Sequence, residues 1–369
     1  MKSNRKAIIS VVLVIAMLLP LSLPAFASES GQTKPLQFRQ DGTFTILQIT
    51  DSQDTQWPSP NMLTLIQKAL DVSKPDLVVF TGDQFKSYDS DFSGSGIKWK
   101  VEQALYFIIN PVVKRGIPFA VAFGNHDREL GVSLEDQVKI LQKYKGCLVV
   151  DEGPSISGCG NYNLPILSSD GTRTAFNLYL LDSNQDKVLP DQIAWYISKS
   201  NELKAANGGI PVPSIEFQHI VAYNDDLVNA FAAQGDVMAS FYGHGHYYSN
   251  TYTRDGIDFV ATPAATFNDF GPGMDRGVRV IKLNENNTST YQSNVLTFVG
   301  LLGENPITDL RYKLFTLGEL DGDPLTVTLS VLSGIGNALS YLVSASHGNI
   351  GVMFTALLEF FGVDVGLIS

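Results

Sequence analysis

Short apolar runs alternate with stretches of helical periodicity through the first half of the chain. Three runs have the length and composition of buried strands: residues 44–49, 77–80 and 119–122. Apolar residues at helical spacing predict three helices that follow these strands, over residues 61–72, 97–108 and 133–144. This alternation is typical of a parallel sheet with crossover helices.

The second half of the chain is richer in strand patterns. Strands are predicted over residues 176–181, 214–220 and 237–242, and a helix begins at Pro190, where proline suits the first helical turn. Four short runs follow, spaced as in an antiparallel meander: residues 251–253, 257–261, 278–283 and 291–298. Together the two halves predict two facing sheets with helices outside.

Residues that can bind metal follow the predicted strands. The chain has five histidines, and four of them stand at strand ends beside carboxylates, Asn or glycine turns. The candidate ligands are Asp51, Asp83, Asn125, His219, His244 and His246. Because ligands gather at the carboxyl ends of strands in such sheets, these side chains should converge. The pattern predicts a metal site, and imidazole mixed with carboxylate suits Zn, Fe or Mn better than Ca.

The ligand types also suggest how two ions would share the site. Two cations held close together need a bridging anion, and Asp83, which follows a glycine turn, is the candidate bridge. Asp51 and His246 would serve one ion, and the carbonyl oxygen of Asn125 the other. His347 lies in the C-terminal tail without such partners in sequence, so we do not expect it to bind metal.

His126 is assigned a different role. It sits between Asn125, a candidate ligand, and Asp127, which would orient it. An imidazole beside a metal site that does not itself bind metal can donate a proton to a leaving alkoxide or stabilise phosphoryl charge. We therefore expect His126 to be the catalytic residue.

The ordered motifs D-x-x, G-D, G-N-H-D, H and G-H-x-H carry a family resemblance. They resemble the calcineurin-like metallophosphoesterase superfamily, and specifically its purple-acid-phosphatase-like branch, over residues 43–283. The resemblance implies an α/β (α+β) fold, a four-layer α/β/β/α sandwich of two mixed sheets flanked by helices. It also implies a centre of two divalent metal ions, with Mn, Fe and Zn all open.

The chain departs from the family pattern at two places that concern the first metal, the ion assigned to Asp51 and His246. The family usually has D-x-H at its first motif, whereas this chain has Asp51-Ser52-Gln53. A glutamine carbonyl is a weaker, neutral ligand, so Gln53 is a candidate ligand of a weak first site. Tyr88 comes too late after Asp83 to match the tyrosine that binds iron in true purple acid phosphatases.

The expected function is hydrolysis of a phosphate mono- or diester by a hydroxide bound to the two metals. The substrate is expected to be a small phosphorylated molecule, and the candidate pocket residues are Asp127, Tyr223, Tyr247 and Asn268. The alternative is a catalytically weakened homologue that only binds metal or ligand, and Gln53 motivates it. A serine hydrolase is disfavoured because the chain has no Gly-x-Ser-x-Gly elbow.

The N-terminus predicts export. A basic start, an apolar stretch over residues 7–23 and the small-x-small site at Ala25-Phe26-Ala27 are typical of a signal peptide, with an uncleaved membrane anchor as the alternative. Cleavage near Ala27 would give a secreted chain with 23 Lys and Arg against 37 Asp and Glu, a net charge of −14. Such an acidic chain without a basic run is not expected to bind nucleic-acid polymers.

The only two cysteines, Cys147 and Cys159, are close in sequence. Because export permits oxidation, we predict a disulfide between them, worth roughly 3 kcal/mol by loop-closure entropy. Two buried free thiols are the alternative.

The last part of the chain differs in composition. We predict a metallophosphoesterase domain over residues 28–300, after the signal peptide of residues 1–27, and an apolar, mostly helical extension over residues 301–369. No Asp, Glu, Lys or Arg occurs between Pro324 and Leu358, but Ser, Thr, Gly and Asn are frequent there. Helices that pack on the main domain or cap its cleft are therefore expected, with membrane contact as the disfavoured alternative.

Overall fold

Two mixed β-sheets form the centre of the molecule. The computed structural model describes residues 34–221 and 224–361. The larger sheet has the strand order β1-β5-β6-β7-β8-β10-β9. Its strands, in that order, are Leu36–Gln37, Tyr162–Leu167, Thr174–Leu180, Ser214–Phe217, Val237–Tyr242, Ile257–Ala261 and Thr251–Arg254.

The smaller sheet contains the three parallel strands predicted in the first half of the chain. Its order is β12-β11-β2-β3-β4, with bounds Gln292–Thr297, Gly277–Asn284, Thr43–Ile49, Leu77–Thr81 and Phe119–Ala122. Strands β2, β3 and β4 pair in parallel, and β11 joins β2 antiparallel. One apolar core contains side chains of both sheets, such as Leu47 and Phe217, so the sheets pack face to face.

The predicted meander is wrong in its connectivity. The four runs do form strands, and two antiparallel pairs, β9 with β10 and β11 with β12. However, β10 pairs in parallel with β8 in the larger sheet, whereas β11 pairs with β2 in the smaller one. The chain therefore crosses between the sheets after Ala261, and this crossing segment carries part of the candidate site.

Helices cover the outer faces of both sheets. In the described part of the chain they are α1 Pro60–Ser73, α2 Ile97–Lys114, α3 Leu134–Leu141, α4 Pro190–Ala206, α5 Asp225–Gln234, α6 Phe298–Leu302, α7 Pro306–Phe315, α8 Pro324–Ala345 and α9 Ile350–Phe360. Helices α4 and α5 share a second apolar cluster with the larger sheet, and α1 packs on β2 and β11 of the smaller one. The four-layer α/β/β/α fold is confirmed.

Helix α7 joins the C-terminal segment to the main domain through a buried arginine. The Arg311 guanidinium donates to Asn61 Oδ1 at 2.9 Å and to Pro60 O at 2.7 Å, both on α1, and also to Thr64 Oγ1. Burial lowers the pKa of Arg311 to about 9. The boundary at residue 300 stays a prediction, but α7 is clearly tied to the domain and the freely exposed apolar sequence begins near Pro324.

Candidate metal centre

The candidate ligands leave the carboxyl ends of strands from both sheets. Asp51, Asp83 and Asn125 follow β2, β3 and β4 of the smaller sheet, whereas His219 follows β7 and His244 and His246 follow β8 of the larger one. Because the sheets face each other, these ends meet in one place. The convergence expected from sequence is present, and it depends on both sheets.

Three side chains form the best-defined ligand group in the described residues. One ligand atom from each of Asp83, His219 and His244 lies within 4.8 Å of the others. His219 Nε2 is 2.9 Å from Asp83 Oδ2. Ligands at right angles on one ion, each about 2.1 Å from it, stand about 3 Å apart, so this spacing suits a shared cation.

Asp51 continues the cluster toward His246. His246 Nε2 lies 3.3 Å from Asp51 Oδ1, and His219 Nε2 lies 3.8 Å from the same oxygen. Gln53 is also buried and its backbone N–H donates to Asp83 O at 2.8 Å. Asp51 and Asp83 are therefore both within reach of His219, which stands between the two halves of the site.

Three buried polar atoms at the site have no hydrogen-bond partner among the described residues: Gln53 Oε1, Asn125 Oδ1 and His219 Nε2. Each is a lone-pair donor, and leaving such an atom buried and unpaired is costly. His219 Nδ1 lies 2.7 Å from Thr81 O and donates its proton there, so Nε2, 2.9 Å from Asp83 Oδ2, is the ring atom that would bind an ion. A bound cation would satisfy all three atoms, so the residues present fit a divalent metal.

The electrostatics of the cluster follow from burial of two carboxylates beside three imidazoles. Burial lowers the pKa of His219, but Asp83 and Asp51 outweigh it and raise that pKa to about 10, so a bound cation would take the place of a proton at Nε2. Burial would raise the pKa of Asp51, but His219 and His246 outweigh it and hold that pKa low. The pKa of His244 is lowered by burial and by His219. The carboxylates thus concentrate negative charge where a cation would sit.

The backbone is strained at the candidate ligands. Asp51, Gln53, Asp83, His244 and His246 all have positive φ, between 23° and 64°. Non-glycine residues rarely adopt this region, and such outliers cluster at functional sites. Strain at five of seven candidate ligands indicates that side-chain placement here takes precedence over backbone preference.

Two glycines allow the backbone to approach the ligands. Gly82 has φ 87°, and a Cβ there would stand 2.6 Å from His219 Nδ1. A Cβ on Gly243 would collide with Thr50 Oγ1 and Asp51 Oδ2. Any side chain at either position would displace a candidate ligand.

The role predicted for Asp127 is corrected. Asp127 is fully buried and does not line a pocket. Its carboxylate accepts backbone N–H groups from Asp83 at 2.9 Å, Gln84 at 2.8 Å and Gly124 at 2.9 Å. It therefore braces the two turns that carry Asp83 and Asn125, and it does not orient the His126 ring.

The partner of the His126 imidazole is Glu129, which sequence reasoning missed. His126 Nδ1 lies 2.6 Å from Glu129 Oε2 and 3.1 Å from Ser87 Oγ, and Ser87 also donates to Glu129 at 2.6 Å. The backbone N–H of His126 donates to Asp83 Oδ1 at 2.8 Å, which ties the residue to the site. Its Nε2 makes no hydrogen bond within the described residues. The i, i+3 spacing was the only signal in the sequence.

The other three candidate pocket residues differ in their surroundings. Tyr247 is exposed and stacks on the exposed Phe270, which itself stacks on the His246 ring with centroids 4.0 Å apart. Asn268 is committed elsewhere, because its amide donates to the buried Asp54. Burial raises the pKa of Asp54 to about 7. Tyr223 lies outside the described residues.

The predicted disulfide is not formed, because Cys147 and Cys159 are both free thiols. The backbones of the two cysteines have different neighbours. Cys147 forms an isolated parallel β-bridge with Phe119 of β4, and the Cys159 N–H donates to the Asp182 carboxylate at 2.8 Å. Burial raises the pKa of Cys147 to about 12. The alternative was two buried free thiols; both thiols are free, but only Cys159 is buried and Cys147 is half-buried.

Comparison of the sequence with protein-family models identifies a family. The family model described as calcineurin-like phosphoesterase matches residues 44–248. This span includes all seven candidate ligands and His126.

Named relatives show the same likeness. The chain is 26% identical over 349 residues to "Probable inactive purple acid phosphatase 14" of Arabidopsis thaliana, covering 76% of this chain and 85% of that protein. It is 31% identical over 170 residues to "Phosphatase DCR2" of Saccharomyces cerevisiae, covering 41% of this chain and 28% of that one. Among solved structures, a dimetal phosphatase from Danio rerio is 12% identical with a TM-score of 0.47, covering 69% of this chain and 99% of that one.

Proposed function

The chain belongs to the calcineurin-like phosphoesterase family, and from that premise we propose that it hydrolyses a phosphate mono- or diester with two divalent metal ions. The observation that carries this proposal is the convergence of ligand atoms from Asp83, His219 and His244 within 4.8 Å. Three buried atoms without a hydrogen-bond partner among the described residues also support it: Gln53 Oε1, Asn125 Oδ1 and His219 Nε2.

The two ions would share the bridging carboxylate of Asp83. Asp51, His246 and Gln53 would hold one ion, and Asn125, His219 and His244 would hold the other. When bound, such ions supply an activated water and neutralise phosphoryl charge. The identity of the metals is left open among Mn, Fe and Zn, in keeping with mixed imidazole and carboxylate ligands.

His126 would act on the leaving group. Glu129 fixes the Nδ1 side of the ring, so Nε2 is directed away from that carboxylate. A proton held at Nε2 can pass to the leaving alkoxide as the ester bond breaks. The tie between the His126 N–H and Asp83 keeps this proton at a fixed place relative to the candidate ligands.

The location and the substrate class are part of the proposal. The signal-peptide pattern of residues 1–27, which lie outside the described part of the chain, supports secretion. The acidic composition supports a small phosphorylated substrate over a nucleic-acid polymer.

A second candidate function is metal or ligand binding without efficient catalysis. Two observations favour it: Gln53 replaces a stronger imidazole ligand, and a relative similar over most of this chain is named probably inactive. In this alternative the metal site persists but turnover is weak.

The decisive experiment measures metal content and phosphoester hydrolysis in the same preparations. Wild type is loaded with Mn, Fe or Zn and assayed on aryl mono- and diesters beside two variants. His126→Ala should retain metal and lose most turnover, because it removes only the proton donor. Asp83→Asn should lose at least one ion, because it removes the bridging charge.

The outcomes separate the two candidates. If wild type binds metal but hydrolyses neither ester class in any of its metal forms, the binding function would be established. Full metal occupancy in Asp83→Asn would reject the bridge, and unchanged kcat in His126→Ala would reject the proton donor.

A further inference from the structure

Helix α8 is apolar but almost entirely outside the core. It spans Pro324–Ala345, and only 6% of its most apolar window is buried. A helix of this length and hydropathy is long and apolar enough to cross a membrane, but the core helix of a soluble protein and an N-terminal signal sequence have the same composition. The low burial excludes a core helix, and the more than 300 residues that precede α8 exclude a signal sequence.

One face of α8 packs on the protein. Its least exposed residues recur at helical spacing and are Val327, Val331, Gly334, Ala338 and Leu342. A Cβ placed on Gly334 would touch the Leu310 side chain of α7, so this face meets α7. Because α7 is held to α1 by Arg311, α8 is fixed to the domain along this one side.

A second face of α8 is an exposed apolar stripe. Its residues are Leu325, Leu329, Leu332, Ile335, Leu339 and Val343, each between 39% and 68% exposed. At 3.6 residues per turn these six side chains fall within an arc of about 120°. The remaining face carries small polar residues, among them Thr326, Ser330, Ser333, Asn337, Ser340 and Ser344.

Helix α9 repeats the arrangement. Ile350, Phe354, Leu357 and the following Phe361 recur every three or four residues and are 81%, 60%, 48% and 41% exposed. The other side of α9 is tied to the domain, because Glu359 pairs with Lys68 of α1 at 3.2 Å. Two neighbouring helices therefore each expose a row of large apolar side chains.

We propose that α8 and α9 lie in the surface of a lipid bilayer, with both stripes inserted among the acyl chains. The stripes contain no charged side chain, and none occurs from Pro324 to Leu358, so they offer no ion pair to a protein partner but complement uncharged hydrocarbon. The Ser and Thr face beside the stripe would stay at the wet side, which places the helix in the plane of the surface. At about 1.5 Å per residue, α8 presents a strip about 33 Å long.

This surface differs from most membrane-surface helices in having no Lys or Arg. Binding should therefore depend on apolar insertion alone, and the negative net charge of the chain gives no attraction to anionic lipids. This property separates the proposal from electrostatic adsorption.

The test is flotation with lipid vesicles, using the chain from residue 28 onward. This chain contains all the described residues and lacks the apolar residues 7–23, which would bind lipid themselves. We expect wild type to float with vesicles of phosphatidylcholine alone. Adding phosphatidylglycerol should not increase the bound fraction, and high salt should not release it.

The stripe variant carries Leu329→Gln, Leu332→Gln and Leu339→Gln, and should bind at least tenfold more weakly. Because the three side chains are exposed, the fold should persist, which an unchanged thermal unfolding midpoint would show. An independent variant with Phe354→Gln and Leu357→Gln on α9 should also lose binding.

The matched control replaces three exposed apolar residues of the main domain, as Val72→Gln, Val150→Gln and Ile210→Gln. It should float like wild type. Several results would overturn the proposal: no flotation of wild type on phosphatidylcholine, flotation that needs anionic lipid, or equal binding by wild type and the stripe variants. A lipid-free dimer that the stripe variant abolishes, without flotation, would instead assign the surface to a second copy of the chain.

Discussion

The replacement Asp127→Asn tests whether the site is built from braced turns. Asp127 is buried and accepts three backbone N–H groups, two at Oδ2 from Asp83 and Gly124 and one at Oδ1 from Gln84. Asparagine has the same shape but only one acceptor oxygen. In its best orientation the amide oxygen takes the place of Asp127 Oδ2 and keeps the two bonds there. The amide NH₂ then takes the place of Oδ1 and faces the Gln84 N–H.

The cost follows from these contacts. One buried N–H becomes unsatisfied, which costs about 1–3 kcal/mol, and the two remaining bonds lose charge assistance, about 0.5–1 kcal/mol each. Burial and Asp83 raise the pKa of Asp127 to about 7, so removal of its charge offsets part of this loss. We expect a net loss of about 1–3 kcal/mol in unfolding free energy. We also expect lower metal occupancy, because both turns loosen.

The assay combines urea unfolding with elemental analysis of the purified protein. The matched control is Asp236→Asn, a buried carboxylate that accepts from Tyr179 at 2.9 Å and Tyr196 at 2.5 Å beneath α4. It should be destabilised to a similar extent but keep its metal. If Asp127→Asn has wild-type stability and full metal content and only its KM is raised, Asp127 acts in substrate binding and does not hold the two turns.

Three further predictions concern single residues. Gln53→His should tighten metal binding, because it offers an imidazole nitrogen where a buried amide oxygen has no partner; an unaltered metal titration would place residue 53 outside the coordination sphere. Glu129→Gln should lower kcat about fivefold with metal content unchanged, since a partly exposed pair to His126 is worth about 1 kcal/mol; an unchanged kcat would deny it a positioning role. Burial raises the pKa of Glu216 from 4.5 to about 8, so the folded state holds a proton that the unfolded chain has released, and stability should fall as pH rises between these values. The neutral variant Glu216→Gln should flatten that fall in urea unfolding at pH 5 and pH 8, and parallel declines would contradict the assignment.

Local patterns in the sequence were sufficient for the strands and the ligand types. Apolar runs followed by Asp, Asn or His placed Asp51, Asp83 and His219 at strand ends, because a buried strand and the turn after it are specified by neighbouring residues. The same local signals gave a wrong connectivity for the second half of the chain. They predicted one meander, whereas the antiparallel pairs β9–β10 and β11–β12 belong to different sheets. Which sheet a strand joins depends on its partners, and those are distant in sequence.

What the sequence by itself determined is therefore the two-sheet fold and the set and order of the candidate ligands. Only the tertiary structure decided how they are used: Asp127 braces turns, Glu129 holds the His126 ring, and Cys147 and Cys159 stay unpaired. These outcomes depend on side-chain directions and burial, which periodicity does not encode. The exposure of α8 belongs to the same class, because an apolar helix in a core and one on a surface have the same composition and differ only in what packs against them.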